Sequence, residues 1–192
     1  DALLTEALHL KKRLGSNSLT LRGPRRDTVG QRTSFQVEAT GKVRMLLPLP
    51  GSAEALFAGF KSKLRSQIRK AEKNGVVFSW GTLADLDDIY TVFARNMREL
   101  GSPVHAKEWL RKVLTHYFGR CKIGLVRFES TTLCMGILLQ GARGVSIPWA
   151  STLREYNHLG PNMLLYWNFL QFSAEHGFAF FDFGRSTEEE GT

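Results

Sequence analysis

The chain has 192 residues, 43% of them hydrophobic, and its formal net charge is +8 at pH 7. This length and apolar content can bury a substantial core, which favours a globular protein of one domain or two small ones. The longest apolar runs fall far short of the roughly 20 residues that cross a bilayer, and no signal peptide opens the chain, so we expect a cytoplasmic protein. Because the chain begins with Asp1 rather than Met and stops after an acidic run, we also expect it to be a piece of a longer protein.

The first 50 residues contain one helix and several short strands. Leucine and alanine at helical spacing predict a helix from Ala2 to Leu14, which Gly15 ends. Short strands are expected over residues 19–22, 34–39 and 42–49. The order of helix, glycine, strand and glycine returns between Pro161 and Gly184, which suggests a weak internal repeat.

A strongly basic helical segment is predicted between Ser52 and Gly75, as one helix or as two joined helices. Residues 61–73 hold six basic residues against one acidic residue, a net charge of +5. A solvated helix face is one interpretation. The alternative is a bound anionic partner, because cations spaced four residues apart repel one another until an anion neutralises them. The candidate contacts for such a partner are Lys63, Arg65 and Arg69.

From residue 76 onward, strands and helices alternate as in one α/β unit. Strands are predicted at 76–80, 121–128, 133–140, 145–151 and 178–183, and helices at 82–100, 107–118 and 161–176. Short turns join the three middle strands, which should therefore form an antiparallel meander. The last helix is apolar on most sides, which predicts a buried crossover to a final strand parallel to its predecessor.

Neither a disulfide nor a metal site is expected. The predicted hairpin pairs Cys121 near Leu139 and Cys134 near Val126, an offset that exceeds the Cα separation of roughly 7 Å that a disulfide spans. Both thiols should be reduced and unreactive, since no base is evident nearby. Five scattered histidines and two hairpin cysteines form no set of metal ligands.

The polar loop before the last helix carries the main candidate binding residues. A strand, a loop and a helix N-terminus in succession place unpaired backbone N–H groups beside a sheet. There, Tyr156, Asn157 and Asn162 could orient a substrate amide or hydroxyl group. Turn and capping chemistry is the alternative for the two asparagines. Trp149 and Tyr166 are candidates for the wall of a pocket or for the core.

Two ionisable residues are candidate catalytic groups. His105 follows a Gly-Ser-Pro turn and is a candidate base or substrate contact, with a plain turn residue as the alternative. Asp182 lies inside an aromatic strand, where an unpaired carboxylate is costly, so a partner such as Arg185 or a substrate amine is expected. Arg185 is also a candidate substrate contact. A structural Asp–Arg pair is the alternative.

The order of strand, two helices, three antiparallel strands, helix and strand resembles the N-acetyltransferase (GNAT) fold, a mixed α/β sheet with flanking helices. In that fold the helix after the fourth strand faces the phosphates of the acyl donor. Here the chain from Arg154 to Pro161 reads REYNHLGP, with Gly160 as its one glycine. This departs from the Arg/Gln-x-x-Gly-x-Gly/Ala loop of acyl-CoA enzymes and argues against a typical acyl-CoA pocket.

Four runs carry a closer resemblance, KSKLRSQIRKAEKNG, FARNMRELGSPVH, IPWASTLREYNHLGPNMLLYW and FDFGRST. They are similar to the FemAB-like family, and within it to members associated with PEP-CTERM/exosortase exopolysaccharide systems. The resemblance implies two GNAT-like lobes. Residues 1–60 would be the tail of the first lobe, residues 61–75 the basic helix, and residues 76–192 a second lobe truncated at its C-terminal end. In the GNAT pattern a further helix and two strands cover the edge of the final strand, so we expect residues 178–183 to be exposed, or else paired with a neighbour or with residues 1–60.

The same resemblance implies an activity, because FemAB enzymes transfer amino acids from aminoacyl-tRNA to peptidoglycan precursors. We therefore expect an N-acyltransferase that moves an aminoacyl or acyl group from aminoacyl-tRNA or acyl-CoA to an amine of a cell-envelope or exopolysaccharide-related precursor. No cofactor would be bound permanently. Expected partners are anionic (tRNA, CoA, or a nucleotide- or lipid-linked sugar), with peripheral membrane association allowed and DNA excluded.

No Ser/His/Asp or Cys/His spacing stands out in the sequence. Transfer should therefore be direct, without an acyl-enzyme, and should depend on positioning and on polarising the carbonyl. The alternative function is a non-catalytic RNA- or anion-binding module that uses the basic helix at residues 61–73.

Overall fold

The computed structural model of the protein describes residues 2–20 and 41–187. The chain forms two compact units, residues 1–41 and residues 42–192. In the first unit, helix α1 spans Ala2–Arg13, and Gly15 follows it with a φ of 62°. The predicted first helix and its glycine stop are thus confirmed. Residues 19–20 form no regular structure, and the remaining predicted strand residues before 41 lie outside the described ranges.

The second unit contains six strands and five α-helices in its described part. They are β1 (Lys42–Pro48), α2 (Ala53–Gly59), α3 (Ser62–Lys73), β2 (Val77–Gly81), α4 (Leu86–Glu99), α5 (Lys107–His116), β3 (Cys121–Phe128), β4 (Thr131–Gln140), β5 (Gly144–Thr152), α6 (Pro161–Glu175) and β6 (Phe180–Thr187). Short 3-10 turns at Leu83–Asp85 and Arg154–Leu159 precede α4 and α6. The basic segment is two helices rather than one, because the backbone is extended at Phe60 and Lys61.

All six strands form one sheet in the order β1-β6-β5-β4-β3-β2. Strands β2 to β5 are an antiparallel meander and β6 runs parallel to β5, which confirms both predictions. Cys121 lies opposite Leu139 and Cys134 opposite Val126, and both cysteines are free thiols. The prediction of an offset pair without a disulfide is therefore confirmed.

The outer edge of β6 is covered by β1. The two strands are antiparallel, from Lys42 opposite Thr187 to Pro48 opposite Phe180. Of the alternatives expected for this edge, pairing with residues 1–60 is the one observed. Phe181 is fully buried as a result, while Phe183 retains 39% exposure.

The sheet separates two apolar layers, and β4 contributes to both. Cys134 and Leu138 belong to the layer that contains α6, whereas Met135 and Ile137 belong to the layer that contains α4 and α5. This alternation follows from the two-residue period of a strand. Helix α6 packs on the sheet with one side and on α2 and α3 with another. That double contact explains why α6 is apolar on most sides, as predicted.

Candidate functional site

The parallel strands β5 and β6 separate after a short ladder. In the described residues they pair from Gly144/Phe180 to Ser146/Asp182, while β5 continues to Thr152 and β6 to Thr187. Pro148 follows just beyond the last pair, and it has no N–H to extend the ladder. A bulge at this point sets two residues of β5 opposite Leu138 of β4. The two strands therefore diverge and open a crevice beside the N-terminus of α6.

A cavity of about 290 Å³ lies at this crevice. It is lined by Asn96, Cys134, Ala150, Ser151, Thr152, Arg154, Asn157, Asn162, Leu165 and Tyr166. These residues come from α4, β4, the end of β5, the 3-10 turn and the first two turns of α6. Amides, hydroxyls and one guanidinium supply the polar groups, which suits a neutral polar substrate with a nearby anionic group.

The geometry of the loop comes from local chemistry at the start of α6. Gly160 has a φ of 74°, and a Cβ atom at this residue would lie 3.3 Å from the Cβ of Ala71 in α3. Glycine therefore suits both the left-handed backbone and the close approach to α3. Pro161 takes the first helical position, as predicted. The Oδ1 of Asn162 accepts the Met163 N–H at 2.9 Å inside the first helical turn, while the N-cap residue itself is Gly160.

Helix α4 holds the other side of the loop. The Asn96 side chain donates to the Ser151 hydroxyl at 3.2 Å. Two ion pairs bridge α4 to the 3-10 turn, Arg95–Glu155 at 2.8 Å and Arg154–Glu99 at 3.7 Å. Each exposed pair contributes at most about 1 kcal/mol. Both pairs connect α4 to the turn that lines the cavity.

Two protic groups at the cavity are shielded from water, Cys134 of β4 completely and Tyr166 of α6 in part. Burial raises the pKa of the Tyr166 phenol, with a smaller contribution from Cys134. Burial also raises the pKa of Cys134 to about 12, although Thr152 donates to its sulfur at 3.1 Å. Both groups therefore stay protonated at neutral pH, so Tyr166 can donate a hydrogen bond and Cys134 has no nucleophilic thiolate.

His105 and Trp149 belong to a row of aromatic rings along α5. The His105 ring stacks on Trp109 with centroids 4.0 Å apart, and Trp109 meets Trp149 edge-on at 5.3 Å. Neither His105 nor Trp149 is among the described residues that line the cavity. The roles predicted for these two residues stay predictions.

Asp182 lies at the point where β5 and β6 separate, and it is 6% exposed. Its partner is Arg44 of β1, whose Nε lies 2.8 Å from the carboxylate and whose second nitrogen also contacts it. The other carboxylate oxygen accepts the Gly184 N–H at 2.8 Å. The expected arginine partner is therefore present, but it is Arg44 and not Arg185, which stands opposite Arg44 on an exposed part of β6.

The basic helix α3 meets the cavity loop through its C-terminal end. The Asn74 side chain donates to the Leu159 carbonyl at 3.1 Å. Farther along the helix, Arg65 donates to the Ala58 carbonyl at 3.2 Å, and Arg69 lies 5.4 Å from the centre of the Phe57 ring. Lys63 is exposed. Two of the three predicted anion contacts are thus folded against α2.

Only some of the predicted site residues line the cavity. Asn157, Asn162 and Tyr166 line it together, and Tyr156 packs beside it against both apolar layers. Sequence reasoning missed four polar lining residues, which are Asn96, Ser151, Thr152 and Arg154. The position of the serine and threonine at the carboxyl end of a strand was a usable signal. The sequence gives no such signal for Asn96, because only the packing of α4 brings this residue to the loop.

The ranges that the structure describes contain no cluster of His, Cys, Asp and Glu side chains able to hold a metal ion. Within the same ranges, no helix has the length and apolarity needed to cross a bilayer.

Comparison with protein families gives one match, a model described as "Acetyltransferase (GNAT) domain", over residues 58–190. No curated protein matches the chain at a significant level. Several solved structures share the fold. A structure of FemX has a TM-score of 0.69 at 12% identity, covering 79% of this chain and 55% of its own. L-PGS from Bacillus licheniformis has a TM-score of 0.55 at 12% identity, with coverages of 77% and 48%.

A conserved protein of unknown function from Bacteroides thetaiotaomicron has a TM-score of 0.65 at 9% identity, covering 99% of this chain and 68% of its own. The chain spans about half the length of the FemX and L-PGS structures. At these identities the likeness concerns the fold.

Proposed function

The chain belongs to the GNAT acetyltransferase domain family, whose model matches residues 58–190, and from this premise we propose that it is a FemAB-like N-acyltransferase. It transfers an aminoacyl or acyl group from an activated donor to an amine of a cell-envelope or exopolysaccharide-related precursor. The observation that carries this proposal is the polar cavity of about 290 Å³ where β5 and β6 separate, beside the N-terminus of α6.

The groups around the cavity suit direct acyl transfer. An amine attacks the acyl carbonyl and the carbonyl oxygen gains negative charge. The leaving group then departs with the electron pair of the broken bond and takes up the proton that the amine loses. We assign stabilisation of that oxygen to the neutral Tyr166 hydroxyl and to the Asn162 N–H at the start of α6. The next two N–H groups of the helix already donate to the Gly160 carbonyl. Asn157, Asn162 and Ser151 orient the two substrates.

We further propose aminoacyl-tRNA, rather than acyl-CoA, as the donor. Within the 3-10 turn, the N–H groups of Tyr156 and Gly160 donate to the carbonyls of Leu153 and Asn157. They are therefore already engaged instead of free to bind a pyrophosphate, as a glycine-rich loop would be. In addition, the basic helix α3 contacts this turn at Leu159. Its cations could therefore bind the phosphate backbone of a tRNA whose acyl end lies in the cavity.

Substitutions in α6 should show whether the cavity is the site of catalysis. We expect Asn162→Ala and Tyr166→Phe each to lower kcat/KM about tenfold or more, which corresponds to about 1.4 kcal/mol of transition-state stabilisation. The assay uses the full-length protein with charged tRNA or acyl-CoA as donor and a pool of envelope precursors as acceptor. Asn168→Ala is the matched control, because Asn168 is on the same helix but bonds to the Leu164 carbonyl outside the cavity.

Transfer from neither donor by a folded full-length protein would contradict the proposed activity. Transfer from acyl-CoA alone would contradict only the choice of donor. Equal effects of the Asn162 and Asn168 substitutions would contradict the assignment of the cavity as the site.

A second candidate function is a non-catalytic RNA-binding module that uses α3. The supporting observation is that none of the six cations between Lys61 and Lys73 has a carboxylate within 4 Å among the described residues. A helix with this much unneutralised charge favours a phosphate-rich ligand.

Reversing the charge of two α3 residues should reveal whether RNA binds there. We expect Arg65→Glu with Arg69→Glu to weaken RNA binding about tenfold or more and to reduce the log–log salt slope by about one to two. Filter binding between low and moderate salt measures both quantities. Arg98→Glu with Lys112→Glu, two exposed changes on α4 and α5, is the control because it lowers the net charge by the same amount. An unchanged affinity in the double variant would contradict RNA binding by α3.

A further inference from the structure

Three turns meet at the end of the sheet opposite the cavity. Residues 117–120 precede β3, residues 141–143 join β4 to β5, and residues 176–179 precede β6. We call them the basal turns. The cavity lies at the other end of β5, eight residues away, or about 26 Å at the rise of a strand. The basal turns therefore form a surface separate from the candidate site.

Backbone hydrogen bonds hold the basal turns side by side. The Gln140 N–H donates to the Arg120 carbonyl at 2.7 Å, which joins the first turn to the end of β4. The Ala179 N–H donates to the Arg143 carbonyl at 2.8 Å, which joins the second turn to the third. These bonds connect the turns to paired strands, so the backbone that carries the side chains of the basal turns is held in place.

The first basal turn presents aromatic rings to solvent. Phe118 is 89% exposed, the highest value among the large hydrophobic residues that the structure describes, and Tyr117 is 45% exposed. Gly119 follows with a φ of 80° and turns the chain back toward β3. Single exposed leucines are common on protein surfaces. A phenylalanine that is almost fully exposed at the tip of a turn is unusual, and it suits contact with a membrane or with another protein.

The formal charge on the basal turns is positive and comes from two of the three turns. Their sequences, YFGR, GAR and HGFA, contain two arginines and no acidic residue. Arg120 and Arg143 are exposed, and neither has a carboxylate within 4 Å in the described part of the chain. A groove of about 640 Å³ along α5 ends at Tyr117, and Lys112 and His116 lie on it. Exposed rings thus stand among unneutralised cations.

We propose that the basal turns dock the protein on an anionic phospholipid surface. The rings of Phe118 and Tyr117 enter the interfacial region, where aromatic groups are favoured, while Arg120 and Arg143 contact lipid phosphates. Each arginine at such a surface adds roughly a fivefold increase in affinity. A stable protein partner would need a continuous interface of about 800 Å² on this side, whereas one protruding turn with basic neighbours matches an interfacial anchor. This proposal does not rest on the enzymatic activity.

Vesicle sedimentation tests the proposal on the full chain. We expect binding to vesicles of phosphatidylcholine with about one third phosphatidylglycerol, and much weaker binding to phosphatidylcholine alone, because the surface potential drives the arginine contacts. Phe118→Ala should lower the partition coefficient about fivefold or more. Arg120→Glu with Arg143→Glu should lower it by more than about tenfold.

Two controls match these variants. Val77→Ala truncates a hydrophobic residue that is 63% exposed on the edge strand β2. Lys70→Glu with Lys73→Glu reverses two charges on α3. A loss of binding in the α3 variant, with none in the basal-turn variants, would overturn the proposal and assign lipid binding to α3. Binding that does not depend on phosphatidylglycerol, or that Phe118→Ala leaves unchanged, would overturn it as well.

Discussion

Replacing Gly124 with valine should destabilise the protein by about 3 kcal/mol or more. Gly124 and Gly136 stand opposite each other on β3 and β4, and the ring of Phe169 lies against both of them. A Cβ atom on Gly136 would lie 2.8 Å from a carbon of that ring, and one on Gly124 would lie closer still to the same ring. Phe169 is fully buried, so neither the ring nor the strand can yield without strain.

Urea denaturation followed by circular dichroism measures the change in the free energy of unfolding. Gly124→Ala gives a milder version in case the valine variant does not fold. Gly59→Ala is the control, because a Cβ atom at Gly59 meets open space; we expect a change within about 0.5 kcal/mol. Combining Gly124→Ala with Phe169→Leu should cost less than the sum of the two single changes. Additive losses of unfolding free energy would show that the glycine at residue 124 is not required by contact with the Phe169 ring.

Replacing Arg44 with methionine should destabilise the protein by about 2 to 3 kcal/mol. The change removes two hydrogen-bond donors from Asp182 and leaves a carboxylate that is 6% exposed, with the Gly184 N–H as the remaining donor among the residues that the structure describes. An uncompensated buried charge costs about 3 to 5 kcal/mol. Because the Arg44 side chain is half exposed, water reaches the gap and the expected loss is smaller.

The matched control is Arg185→Met. Arg185 stands opposite Arg44 in the ladder between β1 and β6, but it is exposed and contributes no donor to Asp182. We expect its loss to cost less than about 0.5 kcal/mol. In a cycle with Asp182→Asn, the Arg44/Asp182 double variant should recover 1 kcal/mol or more, since no unpaired charge remains. Equal losses for the two arginine variants would reassign the partner to Arg185.

Local patterns predicted most of the elements. The helix at Pro161, the hairpin that offsets Cys121 from Cys134, and the parallel last strand all follow from hydrophobic period, turn residues and the handedness of crossovers. Each of these signals acts between residues close in the chain or through a general rule of connectivity. The resemblance to the GNAT fold, drawn from the order of the elements, agrees with the family match over residues 58–190.

The candidate site was only partly predictable, for a physical reason visible at Asn96. Its side chain reaches Ser151 across 55 residues of sequence, and no local pattern marks it as polar lining rather than helix surface. Asn157 and Asn162 were predicted because a polar loop before a helix N-terminus is a local signal.

By itself the sequence determined the elements, their order and the polar loop before α6, because periodicity, capping and turn chemistry act over a few residues. Only the tertiary structure decided which distant groups meet. Arg44, 138 residues from Asp182, became its partner because β1 completes the sheet beside β6. The Phe169 ring could lie on Gly124 and Gly136 because α6 packs across β3 and β4 at the register where the two glycines coincide. Such contacts follow from strand order, register and close packing, which every part of the chain sets together.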